Sequence, residues 1–294
     1  MTQFYGIVRS TSSEMNSPKI PRIIFSTCSN KQSSLDSIRA ARERLTSENP
    51  SWKYVEFSDA DSMEFIKRNF DATLFKCFQA INPVYGAARA DLFRYCLIYQ
   101  LGGIYLDIKS TVSNKLDKII RHEDSFLLSQ WDNRPGQPHY RWGIHPELSH
   151  FPGGEYQQWF IAAQPRHPFL KAVIEKVVRN ILDYPSKIEQ PYGKTGVLKT
   201  TGPIAFTLAI NQYILEHGLS EGGLFRHIDS SKEGFCYSIF EESGMTLTHS
   251  HIFNSGGKDA ATGINNDASQ YSMTHYINRS EPIVIPGKAT VTNN

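Results

Sequence analysis

The chain has 294 residues, 40% hydrophobic and 20% charged, with a net charge of +2. That length suits one large α/β domain or two small ones and can bury a sizeable core. The charge is too mild and scattered for a nucleic-acid partner. Four cysteines (Cys28, Cys77, Cys96, Cys236) lie far apart with no CxxC pair, which excludes a sequence-evident zinc site or disulfide framework.

Residues 1–17 are polar, lack an apolar leader, and are read as a flexible lead-in to a single domain at 18–294. No window reaches the roughly 20 apolar residues of a membrane span, so a cytoplasmic protein is expected. Residues 20–26 form a short β-rich run with Pro21 near its start, where proline is tolerated. Leu35, Ile38, Ala41, Arg42 and Leu45 follow at helical spacing, and Asn49-Pro50 closes that helix. Residues 52–57 alternate as a second strand, and Ser58 then offers an N-cap to a helix through Met63, Phe65 and Ile66.

The most informative stretch comes next. A helix over 85–101 carries Ala88, Leu92, Tyr95, Cys96 and Tyr99 as one buried stripe. Gly102 suits the left-handed residue that ends a helix, and Gly103 allows a tight turn into a buried strand at 104–108. The order β-α-β-α-α-β predicts an α/β fold with a mainly parallel central sheet flanked by helices. Further on, 126–128 reads as a strand, and 131–154 as an irregular region rich in Pro, Gly and aromatics. Helices are expected over 169–182 and 204–216, and short strands and loops over the last stretch.

Asp91 and Arg94, three apart, project from one helix face, as a ligand-binding pair or as an ordinary surface salt bridge worth under about 1 kcal/mol. Asp107 stands at the carboxyl end of a buried strand, where open α/β sheets bind ligands, although such a residue also caps turns. His249 and His251 alternate and would share one side of a strand, as metal or phosphate contacts or as a hydrogen-bonded structural pair. Trp131, Tyr140, Trp142, Tyr156 and Trp159 could stack on a ligand's ring or anchor a long loop to the core. No GxGxxG follows the first strand, which argues against a dinucleotide-dependent oxidoreductase.

The residues at 20–24 (Ile-Pro-Arg-Ile-Ile), 49–54 (Asn-Pro-Ser-Trp-Lys-Tyr), 88–95 (Ala-Arg-Ala-Asp-Leu-Phe-Arg-Tyr), 102–107 (Gly-Gly-Ile-Tyr-Leu-Asp), 167–170 (His-Pro-Phe-Leu) and 201–203 (Thr-Gly-Pro) occur in one order. In that order they resemble glycosyltransferase family 32, which includes fungal initiating α-mannosyltransferases and bacterial capsular or surface-polysaccharide enzymes. The glucosylating bacterial toxins are more distantly similar. The resemblance implies a GT-A-like nucleotide-sugar-binding fold and transfer of a hexose, with retention, from a UDP- or GDP-linked donor to a glycan or lipid-linked glycan. A role in polysaccharide biosynthesis, with peripheral contact at a membrane, is the matching expectation.

The same resemblance implies roles by residue. Asp91, Arg94, Asp107 and Lys109 would form the catalytic centre. Ser26, Thr27, Arg89, Gly103 and Tyr105 would join Asp91, Arg94 and Asp107 in holding the donor. Trp131, Trp142 and Gln158 are candidates for the acceptor side. Mn²⁺ or Mg²⁺ would be held by Asp107, with His249 and His251 as candidate ligands. One position departs from the pattern, because Lys109 stands where the family has the second carboxylate of its Asp-x-Asp motif. A charged lysine cannot ligate a cation. Lys109 could face the diphosphate itself, the metal could be held by other groups, or the protein could be a non-catalytic sugar-binding relative.

Overall fold

The computed structural model describes residues 18–28, 36–184, 192–238 and 279–289. Strand β1 (Ile23–Thr27) is followed by helix α1 (Asp36–Glu48) and strand β2 (Lys53–Phe57). Three helices then run in succession: α2 (Asp59–Asn69), α3 (Ala72–Ala80) and α4 (Gly86–Leu101). The sequence reading has two helices here and omits α3. Ser58 starts α2 with a reciprocal cap, its hydroxyl accepting from the Asp61 amide while the Asp61 carboxylate accepts from the Ser58 amide.

Strand β3 (Gly103–Leu106) leads to β4 (Thr111–Val112), α5 (Leu116–Ile119) and β5 (Phe126–Leu128). An irregular region with one 3-10 turn (Pro146–Leu148) precedes β6 (Phe160–Ala163). Helices α6 (Pro168–Leu182), α7 (Gly193–Thr200) and α8 (Pro203–Glu216) follow, then β7 (Arg226–His227), α9 (Ser230–Glu233) and β8 (Phe235–Cys236).

Among the described residues the central sheet has six strands in the order β2-β1-β3-β6-β5-β7. β1 pairs in parallel with β2 and β3, and β5 with β7, whereas β6 runs antiparallel to both its neighbours. The fold is therefore α/β with a mainly parallel sheet flanked by helices, as the element order requires. One core packs α2, α3, α4, α6 and α8 on one face, and a second gathers Ile24, Trp52, Leu106, Trp131, Trp159 and Phe235 on the other.

Helix α4 departs from the amphipathic stripe that its spacing suggests. Residues 91–98 are buried without a break, Asp91 and Arg94 included, because the helix lies between the sheet and its helical neighbours. The two glycines behind it are forced. At Gly102 (φ +66°) a Cβ would lie 2.6 Å from Pro165 Cδ, and at Gly103 (φ +94°) it would lie 2.6 Å from the Ile23 carbonyl oxygen. The ψ of −164° at Gly102 takes it out of the left-handed helical region into backbone space open essentially to glycine alone. Beta3 can thus start hard against β1, and this places Asp107 at the sheet's carboxyl edge.

Candidate active site

Asp107 directly follows β3 and opens a tight turn in which the Ser110 amide donates to the Asp107 carbonyl at 2.8 Å. Its carboxylate is held from below. Arg94 Nη1 lies 3.1 Å from Asp107 Oδ1, and the Tyr105 hydroxyl donates to the same oxygen at 3.2 Å. Thr27 stands 2.9 Å behind the Tyr105 hydroxyl, so a donor chain runs from Thr27 through Tyr105 to Asp107. The Arg94 guanidinium also stacks on Tyr105, 4.6 Å from the ring centre.

The guanidinium reaches further partners. Arg94 Nη2 approaches Asp91 Oδ1 at 3.3 Å, and Nη1 donates to the Gln158 carbonyl at 2.9 Å. Asp91 in turn accepts from the Thr201 hydroxyl at 2.9 Å and from the Gln158 amide at 3.1 Å. The Tyr95 hydroxyl lies between the Gln158 side-chain oxygen and the Thr201 carbonyl. Asp91 and Arg94 are thus no surface pair. Their side chains are 4% and 7% exposed, whereas that of Asp107 is 25% exposed and faces out.

The titration behaviour follows from this burial. Loss of water pushes the Asp91 carboxyl up to about 6, against the pull of Arg94 and of its Thr201 and Gln158 hydrogen bonds. For Arg94 burial works against the cation, but Asp107, Tyr105 and Asp91 more than offset it, and the pKa lies above the ordinary value. The arrangement is one fixed cation between two carboxylates, with the outer one presented to the solvent side.

The other expected site residues divide. Thr27 and Tyr105 join the network through their hydroxyls. Ser26 is buried and its hydroxyl donates to the Leu106 carbonyl at 2.8 Å, which ties β1 to β3. Gly103 serves the β1–β3 contact. Arg89 lies about 200° around the helix from Asp91 and sits over the Phe78 ring at 4.7 Å, away from the cluster. Lys109 sits in the turn after Asp107 with its ammonium 4.8 Å from the Tyr237 ring centre. Gln158 belongs with Asp91 and Tyr95, not with the aromatic wall formed by Trp131, Trp142, Trp159 and Tyr237. Thr201 and Tyr95 also join this cluster, the first signalled by the Thr-Gly-Pro step at 201–203 and the second read from the sequence only as part of a buried stripe.

For a divalent cation the described residues make a poor fit. One Asp107 oxygen is already taken by Arg94 and Tyr105, Lys109 cannot ligate, and no group of three His, Cys, Asp or Glu side chains comes together among them. His249 and His251 lie outside the described residues, as does the lead-in at 1–17. Among the described residues no helix is long and apolar enough to cross a membrane.

Residues 36–126 match the family model described as "glycosyltransferase sugar-binding region containing DXD motif". A mannosyl phosphorylinositol ceramide synthase of Saccharomyces cerevisiae is 22% identical over 88% of this chain and 59% of its own length. The initiation-specific alpha-1,6-mannosyltransferase of Schizosaccharomyces pombe is 28% identical over 56% of this chain and 42% of its own. The chain thus spans about half the length of these relatives. Among solved structures, the PaToxG glycosyltransferase aligns with a TM-score of 0.47 and 16% identity over 68% of this chain and 71% of that one. The stretch that holds Asp91, Arg94, Asp107 and Lys109 lies within the residues that match this model of glycosyltransferase sugar-binding regions.

Proposed function

We propose that this protein is a retaining glycosyltransferase that moves a hexose from a UDP- or GDP-linked donor to a glycan or lipid-linked glycan. The observation that carries the reading is the part-exposed Asp107 carboxylate at the sheet's carboxyl edge, held by Arg94 and Tyr105 within the matched region. The mannosyltransferase names of the fungal relatives favour mannose as the hexose.

In this reading Asp107 accepts hydrogen bonds from the donor's sugar and ribose hydroxyls, for which an ionised carboxylate is a strong acceptor. Arg94 and Asp91 keep it fixed, so the site is organised before the donor arrives. The bond from the anomeric carbon to the diphosphate breaks as the acceptor oxygen attacks from the same face. The acceptor proton passes to the leaving phosphate oxygen, so no protein base is required. Lys109 supplies positive charge beside the departing diphosphate, the part that a second carboxylate and its cation would otherwise share. The protein's contribution is then position and charge.

The Asp107→Asn variant tests this reading, because it keeps the shape and removes the charge. We expect transfer from nucleotide sugars to fall by about 100-fold or more. Near-normal turnover would remove Asp107 from the site.

A further inference from the structure

Asp91 lies where three parts of the chain meet: helix α4, residues 156–158, and the junction between α7 and α8. Burial works against its charged form, so the donors around it decide whether it stays a carboxylate. Arg94 and Gln158 share its Oδ1, and the Thr201 hydroxyl lies 2.9 Å from Oδ2. A threonine hydroxyl has one proton to donate. Its other acceptor, the Val197 carbonyl, stands further off at 3.5 Å, so the proton goes to the carboxylate.

The junction that delivers Thr201 is itself fixed. Asn180 of α6 donates to the Lys199 and Thr200 carbonyls at 3.1 and 3.0 Å, and so caps the end of α7. The Thr201 and Gly202 amides both donate to the Val197 carbonyl, at 3.1 and 2.9 Å. A Cβ at Gly202 would lie 2.8 Å from Leu198 Cα, so a side chain there would displace the backbone of α7. Helix α8 then holds the other two parts of the meeting point. Phe206 stacks on Tyr95 at 5.4 Å, and the Thr207 hydroxyl accepts from the Tyr156 amide at 2.8 Å.

Thr201 has no exposed surface, so it does not touch a ligand. Its effect runs outward. Asp91 faces the Arg94 guanidinium at 3.3 Å, and Arg94 holds the part-exposed Asp107 at 3.1 Å. Replacing such a buried set of charges by apolar side chains often leaves a fold as stable or more so, and stability alone therefore gives no reason for it.

We infer that Thr201 is a positioning residue of the donor site: its hydroxyl locks the Asp91 carboxylate, which sets Arg94 and, through Arg94, the Asp107 carboxylate that meets the nucleotide. The inference rests on the glycosyl-transfer reading.

The test is calorimetric binding of UDP and of GDP to the full chain, each with Mn²⁺ and with chelator, with thermal unfolding of every variant recorded alongside. Thr201→Val keeps the shape and removes the donor. It should weaken the nucleotide that the wild type binds about fivefold, the effect of one hydrogen bond. Thr201→Ser keeps the donor and should bind as the wild type does, although it loses a buried methyl. A packing role predicts the reverse order, with Thr201→Ser the weaker binder. Because Thr201 acts through Asp91, Thr201→Val should cost no further affinity in an Asp91→Asn background. Wild-type affinity in Thr201→Val, a loss in Thr201→Ser as large as in Thr201→Val, or losses that multiply in the double variant would each overturn the assignment. If the wild type binds neither nucleotide, the glycosyl-transfer reading fails and the assignment goes with it. Should Thr201→Val fail to fold, Thr201→Cys, whose thiol is a poor donor of similar size, takes its place against Thr201→Ser.

Discussion

Arg94 is the residue on which the site turns, since one buried guanidinium faces Asp91, Asp107 and the Gln158 carbonyl. Removing it leaves two carboxylates without their cation, one of them buried. Arg94→Met should therefore cost about 3–5 kcal/mol of stability, measured by urea unfolding. Two further buried groups give stability a pH signature. His167 caps α6, its Nδ1 accepting from the Phe169 amide at 3.2 Å while Nε2 donates to the Leu224 carbonyl at 2.8 Å. Burial lowers its pKa to about 4, so it favours the fold above the ordinary value of about 6.5, and that contribution is lost as pH falls through 4. Asp91 has the opposite sign: its raised pKa gives stability that is present below about 4 and lost as pH rises through about 6. Between pH 4 and 6.5 the two therefore oppose each other. In His167→Gln the acid-side loss should disappear, so that stability rises as pH is lowered from 6 to 4; a wild-type slope in that variant would contradict the assignment. Asp91, Arg94 and Asp107 are legible in sequence because helical spacing and a strand end place them. Thr201 and Gln158 stand out only through the motif resemblance, and their contact with Asp91 is not legible, since it spans 110 and 67 residues of chain and spacing says nothing of such contacts.

At the scale of elements, the glycine turn between α4 and β3 sets where Asp107 stands. Gly102→Ala would meet Pro165 at a positive φ, and should cost about 1–3 kcal/mol. Gly86, the first residue of α4, has open space around its Cβ position, and Gly86→Ala should instead gain about 0.4–1 kcal/mol. Thermal unfolding of the two variants checks both signs. Most elements with a clear period or cap were readable, among them α2, α6 and α8. Those missed have physical reasons. Strand β6 is four apolar residues, too short for any period to show, and its antiparallel direction is a matter of topology. Helix α7 holds Gly193, Gly196 and three β-branched residues, poor helix formers that are held by packing against α8 and α6. Helix α4 was readable as a helix but not as one buried all round, because its polar pair looks like a solvent face until a partner from elsewhere covers it.

Across the whole molecule, the sheet separates two groups of side chains. On its α4 face lies the charged cluster, and on the other an aromatic cavity, with residues 157–159 contributing to both. This division explains why the charged motif was legible and the cavity was not: the motif is local in sequence, whereas the cavity draws on residues from 131 to 238. In the proposed function, Asp107 and Lys109 form the nucleotide end of a donor site. The most direct measurement is calorimetric binding of UDP and of GDP, each with Mn²⁺ and with chelator, to the wild type and to Asp107→Asn. The account predicts that one of the two nucleotides binds the wild type and binds the variant more weakly, and that affinity retained in chelator marks Lys109 as the diphosphate's partner. If neither nucleotide binds under either condition, or if the variant binds as well as the wild type, the donor site is not where this account puts it.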